Sequence, residues 1–138
     1  MDSAVQPASA GETLGGFEVE VTAERVRAYA DAASDHNPIH LDAAFAATTP
    51  FGGTIAHGML LLAYLTRPLS ERFGAAWLLG GTVNARFRQP ARVGTRVHAG
   101  GVVRSVVSRD DVTVVECDLQ VTDDDGHALV TATVQVVL

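Results

Sequence analysis

The chain has a single cysteine, Cys117, among its 138 residues, so it can form no internal disulfide. It also lacks a basic excess. Its 10 lysine-plus-arginine residues stand against 16 aspartate-plus-glutamate, for a formal net charge of −6 and an isoelectric point near 5.2. Nucleic-acid binders usually show a basic face, so that class of partner is not expected. A local basic patch for a phosphorylated ligand is still allowed. No apolar run approaches the length of a membrane span. Residues Met1 to Ala10 carry neither the basic start nor the apolar stretch of a signal peptide. The expectation is a cytoplasmic location with no membrane partner. There is no H-E-x-x-H pattern, and the acidic run Asp123 to Asp125 does not continue as a calcium loop. No metal or other cofactor is expected.

Apolar residues are plentiful, at 47% of the chain. One domain of this length buries roughly 65–70% of its unfolded surface, enough for one core. Residues 1–12 read as a flexible tail and 13–138 as a single domain. Gly16 to Val21 alternates as a short strand. Thr22 suits an N-cap, with a helix to about Ser34. Leu41 to Ala47 reads as a short helix, and Thr48 to Gly53 as loop. Ile55 to Leu65 is apolar nearly all round, the pattern of a buried helix, which Pro68 should end or kink. From Trp77 onward the period becomes two. Strands are expected over Thr82 to Arg88, Thr95 to Val107 (with a bulge at Gly100-Gly101), through Val115 to Val121, and over the last residues. Asp123 to Gly126 reads as a hairpin turn. Short turns imply antiparallel neighbours, so the fold class is α+β, a sheet curled round the apolar helix.

The stretch Tyr29 to Met59 departs from this scaffold pattern. It holds three of the five histidines, two prolines and a Gly-Gly pair. Pro38 removes a backbone donor and pushes Asn37 away from helical geometry, which predicts a fixed, non-helical overhang. Asp35 and His40 flank it. A carboxylate and an imidazole held together form an acid/base pair able to move protons near neutral pH. The same two residues would equally serve as a cap and a satisfied helix-start histidine. Asn37 suits a side-chain bond that pins the turn. His36 and His40 are four apart, but Pro38 between them prevents a shared helical face.

His57-Gly58-Met59 opens the buried helix. The first N–H groups of a helix lack internal partners and carry the positive end of its dipole, and Gly58 allows close approach. That suits an oxyanion site; close helix–strand packing would require the same glycine. His57 reads as a loop anchor near the ligand. Thr66 lies a little over two turns further along, where its hydroxyl could simply bond a carbonyl. Arg86, Arg88 and Arg92 form a small basic group, either a solvated strand face or a contact for ligand phosphates. Cys117 alternates with apolar neighbours and reads as a buried, unreactive thiol.

The overhang YADAASDHNPIHLDAAFA, the helix start IAHGML and the segment FRQPARVGTRV together resemble the MaoC-like (R)-specific enoyl-CoA hydratases and 3-hydroxyacyl thioester dehydratases. The resemblance covers nearly the whole chain. It implies a hot-dog fold, usually dimerised edge to edge. Asp35 and His40 match the family's catalytic pair, which would hold and activate a water. The N–H of Gly58 matches the oxyanion donor. Thr66 falls where some relatives carry a serine, and His36 departs from the apolar or aromatic residue common at its position. The implied activity is hydration of a trans-2-enoyl thioester to the (R)-3-hydroxyacyl thioester, or the reverse. Asn37, His57, Thr66, Arg86 and Arg88 are the candidate substrate contacts. The substrate would be an acyl-CoA or acyl-carrier-protein thioester, and the assembly a homodimer or a heterodimer. A hot-dog thioesterase and a non-catalytic partner subunit are the alternatives.

Overall fold

The structure is a computed structural model and describes residues 5–138. Strand β1 (Thr13–Glu20) leads to Thr22, whose hydroxyl accepts from the Arg25 N–H at 3.1 Å and starts α1 (Ala23–Ala33). Two short helices follow, α2 (Pro38–Leu41) and α3 (Ala43–Ala47), then α4 (Gly58–Phe73) and α5 (Ala75–Gly80). Strands β2 (Thr82–Phe87), β3 (Arg96–Arg109), β4 (Val112–Asp123) and β5 (Ala128–Val137) complete the chain.

The five strands form one antiparallel sheet in the order β1-β3-β4-β5-β2. The alternation read from the sequence sets its inner face. Val115, Cys117, Leu119 and Val121 of β4 and Val130, Ala132, Val134 and Val136 of β5 are buried in one cluster with Leu61, Leu65, Leu69 and Phe73 of α4. Removing one such leucine from water contributes about 1.5–3 kcal/mol. This cluster fixes α4 against the sheet and so fixes the position of its N-terminus.

The overhang is not wholly non-helical, because Pro38 occupies the first turn of α2, where its missing N–H has no helical partner to lose. Asp42 then divides the expected single helix by capping α3 through the Phe45 N–H at 3.0 Å. Pro68 does not end α4. The helix runs through it to Phe73, and the buried proline packs against Gly15 of β1, where a Cβ would come within 2.6 Å of Pro68 Cγ. Trp77 to Gly80 belongs to α5 and not to a strand. Gly100 and Gly101 pair with Gln120 and Leu119 without a slip. The irregularities lie at Gly16 in β1, at Arg104 in β3 and at Leu129 in β5. A Cβ on Gly101 would stand 1.9 Å from the Asp118 carbonyl oxygen, so this glycine serves close strand approach.

Residues 5–12 are not a loose tail. Val5 and Ala8 pack on the core, and the Gly11 N–H donates to the Val103 carbonyl at 2.8 Å. Arg72 of α4 donates to the carbonyls of Gln6 and Pro7 and to the Glu12 carboxylate at 2.7 Å. Residues 1–4 of the expected tail lie outside the described residues.

Candidate active site

Two chain reversals place Asp35. Ser34 leaves α1 in the left-handed region at φ 54°, and the Asp35 N–H returns to the Ala30 carbonyl at 3.0 Å. Asp35 Oδ1 then accepts from the Asn37 N–H at 3.3 Å, and Asn37 Oδ1 accepts from the Ile39 N–H at 3.0 Å. These consecutive Asx turns make Asn37 the pin of the turn.

His40, in the single turn of α2, donates from Nδ1 to the Ile55 carbonyl at 2.7 Å. A carbonyl oxygen only accepts, so Nδ1 carries the hydrogen. In the neutral ring, Nε2 is then the proton acceptor. The Ile55 N–H in turn donates to the Ile39 carbonyl at 3.2 Å, which ties the overhang to the segment entering α4.

His57 is the buried member, at 2% exposure. Its Nε2 donates to the backbone carbonyl of Asp35 at 3.0 Å. Its ring stacks on His40, with centroids 3.7 Å apart and planes 24° apart, and Tyr29 of α1 lies on it at 4.8 Å. Asp35, His40 and His57 each bring a polar side-chain atom within 4.8 Å of the others. An imidazole lone pair lies in the ring plane. Two rings stacked in this way send their lone pairs along separate, nearly parallel planes, which does not suit one shared metal ion.

His57 is also the N-cap of α4, yet its side chain makes no capping bond, whereas Thr22, Asn37 and Asp42 cap α1, α2 and α3. Among the described residues no acceptor is bonded to the N–H of Gly58 or Met59. The positive end of a 16-residue helix is thereby left open beside Asp35 and His40. Phe87 of β2 lies over Gly58, where a Cβ would come within 3.0 Å of its ring. Gly58 therefore serves close packing as well as an open N–H.

The remaining candidates make other contacts. The Thr66 hydroxyl donates to the Ala63 carbonyl at 3.2 Å, the local back-bond open to it from the start. His36 turns outward to Asp31 at 2.8 Å. Strand alternation puts Arg86 on the face opposite Phe87. Arg86 and Arg88 line a cleft of about 540 Å³ with Asn84, Asp118, Gln120 and Thr133, a lining that includes neither Asp35, His40 nor Gly58. Arg88 Nε donates to the Thr131 hydroxyl at 3.1 Å. Arg92 leaves the group entirely and holds the Gly52 carbonyl. Burial pushes the Cys117 thiol up to about 11, which keeps it protonated and inert. Sequence reasoning missed the roles of Tyr29, Phe87 and the Ile55 carbonyl. In the sequence Tyr29 shares helical spacing with Val26, Ala30 and Ala33, which marks it only as one position on the apolar face of α1.

A carboxylate, an imidazole with one open nitrogen and an uncapped helix N-terminus, all carried on a sheet wrapped round a helix, define a hot-dog domain equipped for acid/base chemistry beside a polarised acceptor. Residues 6–125 match the model of the MaoC like domain, and the chain belongs to that family. The 3-hydroxyacyl-thioester dehydratase Z of Mycobacterium tuberculosis is 42% identical over 97 residues, covering 67% of this chain and 64% of that protein. The chain thus spans under two thirds of the length of that relative. The (R)-specific enoyl-CoA hydratase of Aeromonas caviae is 33% identical over 109 residues, 79% of this chain and 80% of that one. The solved (R)-hydratase of A. caviae, described as involved in PHA biosynthesis, superposes with a TM-score of 0.82 at 30% identity, covering 95% of this chain and 97% of that one.

Proposed function

We propose that the chain adds water across the C2=C3 bond of a trans-2-enoyl thioester to give the (R)-3-hydroxyacyl thioester, and catalyses the reverse. The observation that carries this reading is the bare Nε2 of His40, held with the Asp35 carboxylate beside the open N-terminus of α4. The thioester oxygen accepts from the Gly58 N–H. Asp35 and His40 hold one water, which attacks C3 as the pair takes its proton. Charge builds on the thioester oxygen, and the pair then passes the proton to C2, so that H and OH are added overall and the pair is restored. A preorganised oxyanion donor contributes about 2.7–4 kcal/mol, and positioned acid/base groups about 10²–10⁴-fold.

The carrier is coenzyme A, which the name of the A. caviae relative contains, or an acyl-carrier protein. We place the protein in the cytoplasm. Among the described residues no helix is long and apolar enough to cross a membrane. The assembly we propose is a dimer through sheet edges.

Crotonyl-CoA tests the activity. Conjugated absorbance should fall without release of thiol, and the product should be (R)-3-hydroxybutyryl-CoA, or a longer homologue if short chains fit poorly. Free coenzyme A appearing in step with substrate loss would replace the hydratase with a thioesterase. A folded chain silent across enoyl-CoA lengths would indicate a carrier-protein substrate or a missing partner subunit.

A further inference from the structure

We infer that His57 is the positioning residue of this site, holding both members of the acid/base pair at once; this rests on the hydratase reading above. Three contacts of one buried ring carry the inference. Its edge holds Asp35, since Nε2–H donates to the Asp35 carbonyl at 3.0 Å. Its face supports His40 at 3.7 Å. Its other neighbour is Tyr29 at 4.8 Å, so a column of three rings runs from α1 through His57 to the reacting imidazole.

The chemistry of the ring fits a fixed role. Nε2 faces a carbonyl and must carry the hydrogen. Nδ1 is buried with no hydrogen-bond partner. A proton there would leave a donor without an acceptor, so the neutral Nε2–H form is the one this pocket accommodates. His40 differs on each point: it is half-buried, its Nδ1–H is bonded, and its Nε2 is bare. The two histidines therefore divide the work. His40 exchanges a proton with the water, and His57 keeps its own.

His57 also governs the third element of the site. As N-cap of α4 it supplies none of the hydroxyl, amide or carboxylate oxygens that usually accept from the helix N–H groups. Here it is committed to Asp35, and the first N–H groups of α4 stay free. One side chain thus touches the backbone that carries the carboxylate, the imidazole ring and the start of the open helix. A displacement of about 1 Å in such a set costs up to 10²-fold in rate.

Two substitutions separate the contacts. His57→Phe keeps a ring against His40 but cannot donate to Asp35. His57→Gln places an amide N–H near the original Nε2 but removes the stacked ring. Each should lower kcat for enoyl-CoA hydration about 10–100-fold while KM stays within about threefold. The imidazole signals of His40 supply a readout that needs no substrate. In His57→Gln the ring current is lost and the His40 carbon-bound protons should move downfield, whereas His57→Phe should keep them near their original positions. If both folded variants retain wild-type kcat, or if KM rises with kcat unchanged, the positioning role is overturned, the latter result marking a substrate contact. If the wild-type chain hydrates nothing, the His40 signals still decide: unmoved in His57→Gln, they overturn the ring column independently of the activity.

Discussion

The Nδ1 of His40 donates to the backbone carbonyl of Ile55 at 2.7 Å, and this bond selects the nitrogen that faces the chemistry. Ile55 lies just ahead of α4 and His40 lies in the overhang, 15 residues earlier. The contact thus registers the two halves of the site against each other. It also fixes the tautomer, leaving Nε2 free to accept a proton, the part proposed for it beside Asp35.

The first prediction follows for the pair. Asp35→Asn and His40→Gln should each lower hydration by about 10²–10⁴-fold without unfolding the chain. In the proposed mechanism both act on one water, so the double variant should lose far less than the product of the two. Near-multiplicative losses in steady-state kinetics, or either single variant at wild-type turnover, would refute the shared role.

Much of this was legible in the sequence because it depends on local rules. Asp35, Pro38 and His40 are linked by spacing and by the effect of proline on its neighbours. Gly58 opens an apolar helix, and the β4 and β5 alternation sets the core face. What was not legible depends on contacts between distant segments. Pro68 reads as a helix stop until its ring is seen against Gly15. Arg86, Arg88 and Arg92 read as one basic group, but strand alternation and the turn at Pro90 send Arg92 to the Gly52 loop. Tyr29 joins the site only because α1 packs beside the start of α4.

A second prediction concerns the N-terminal strap. The hydrogen bond and charge of Arg72 hold the Glu12 carboxyl below its ordinary value of 4.5, against the opposing effect of burial. Ionised Glu12 therefore favours the folded chain. That contribution is complete above 4.5 and fades as pH falls through the lower folded-state value. Glu12→Gln should destabilise by up to about 1 kcal/mol at pH 7, since the pair is partly open to solvent. Denaturant midpoints of the two proteins should converge in strong acid. A gap that persists there would assign the effect to packing.

Leu65 tests the support of the site. It is fully buried on α4. Leu65→Ala should cost about 2–5 kcal/mol by urea unfolding. If the folded variant keeps its register, KM should change little, because Leu65 belongs to the buried core cluster. A loss under 1 kcal/mol would mean that the helix is held chiefly by its other contacts.

The last prediction is the dimer. The sheet has two free edges, β1 and β2, and their chemistry differs. Strand β1 bears Glu18 and Glu20 and an irregularity at Gly16, features that discourage pairing with another strand. Strand β2 has exposed Val83 and Phe87, and the neighbouring helix α5 exposes Leu78 and Leu79, at 74% and 88%. A strand with one open edge, among four exposed large apolar side chains, calls for cover, and a second β2 related by a two-fold axis would supply it. Phe87 also lies over Gly58, so the same contact would close the site against water. Light scattering across the micromolar range should therefore report a dimer. Leu79→Glu combined with Val83→Arg should yield a folded monomer that has lost most of its hydration activity, although neither residue belongs to the acid/base pair. A wild-type monomer with full activity would exclude the edge-to-edge assembly. A dimer that survives the double substitution would move the contact away from β2.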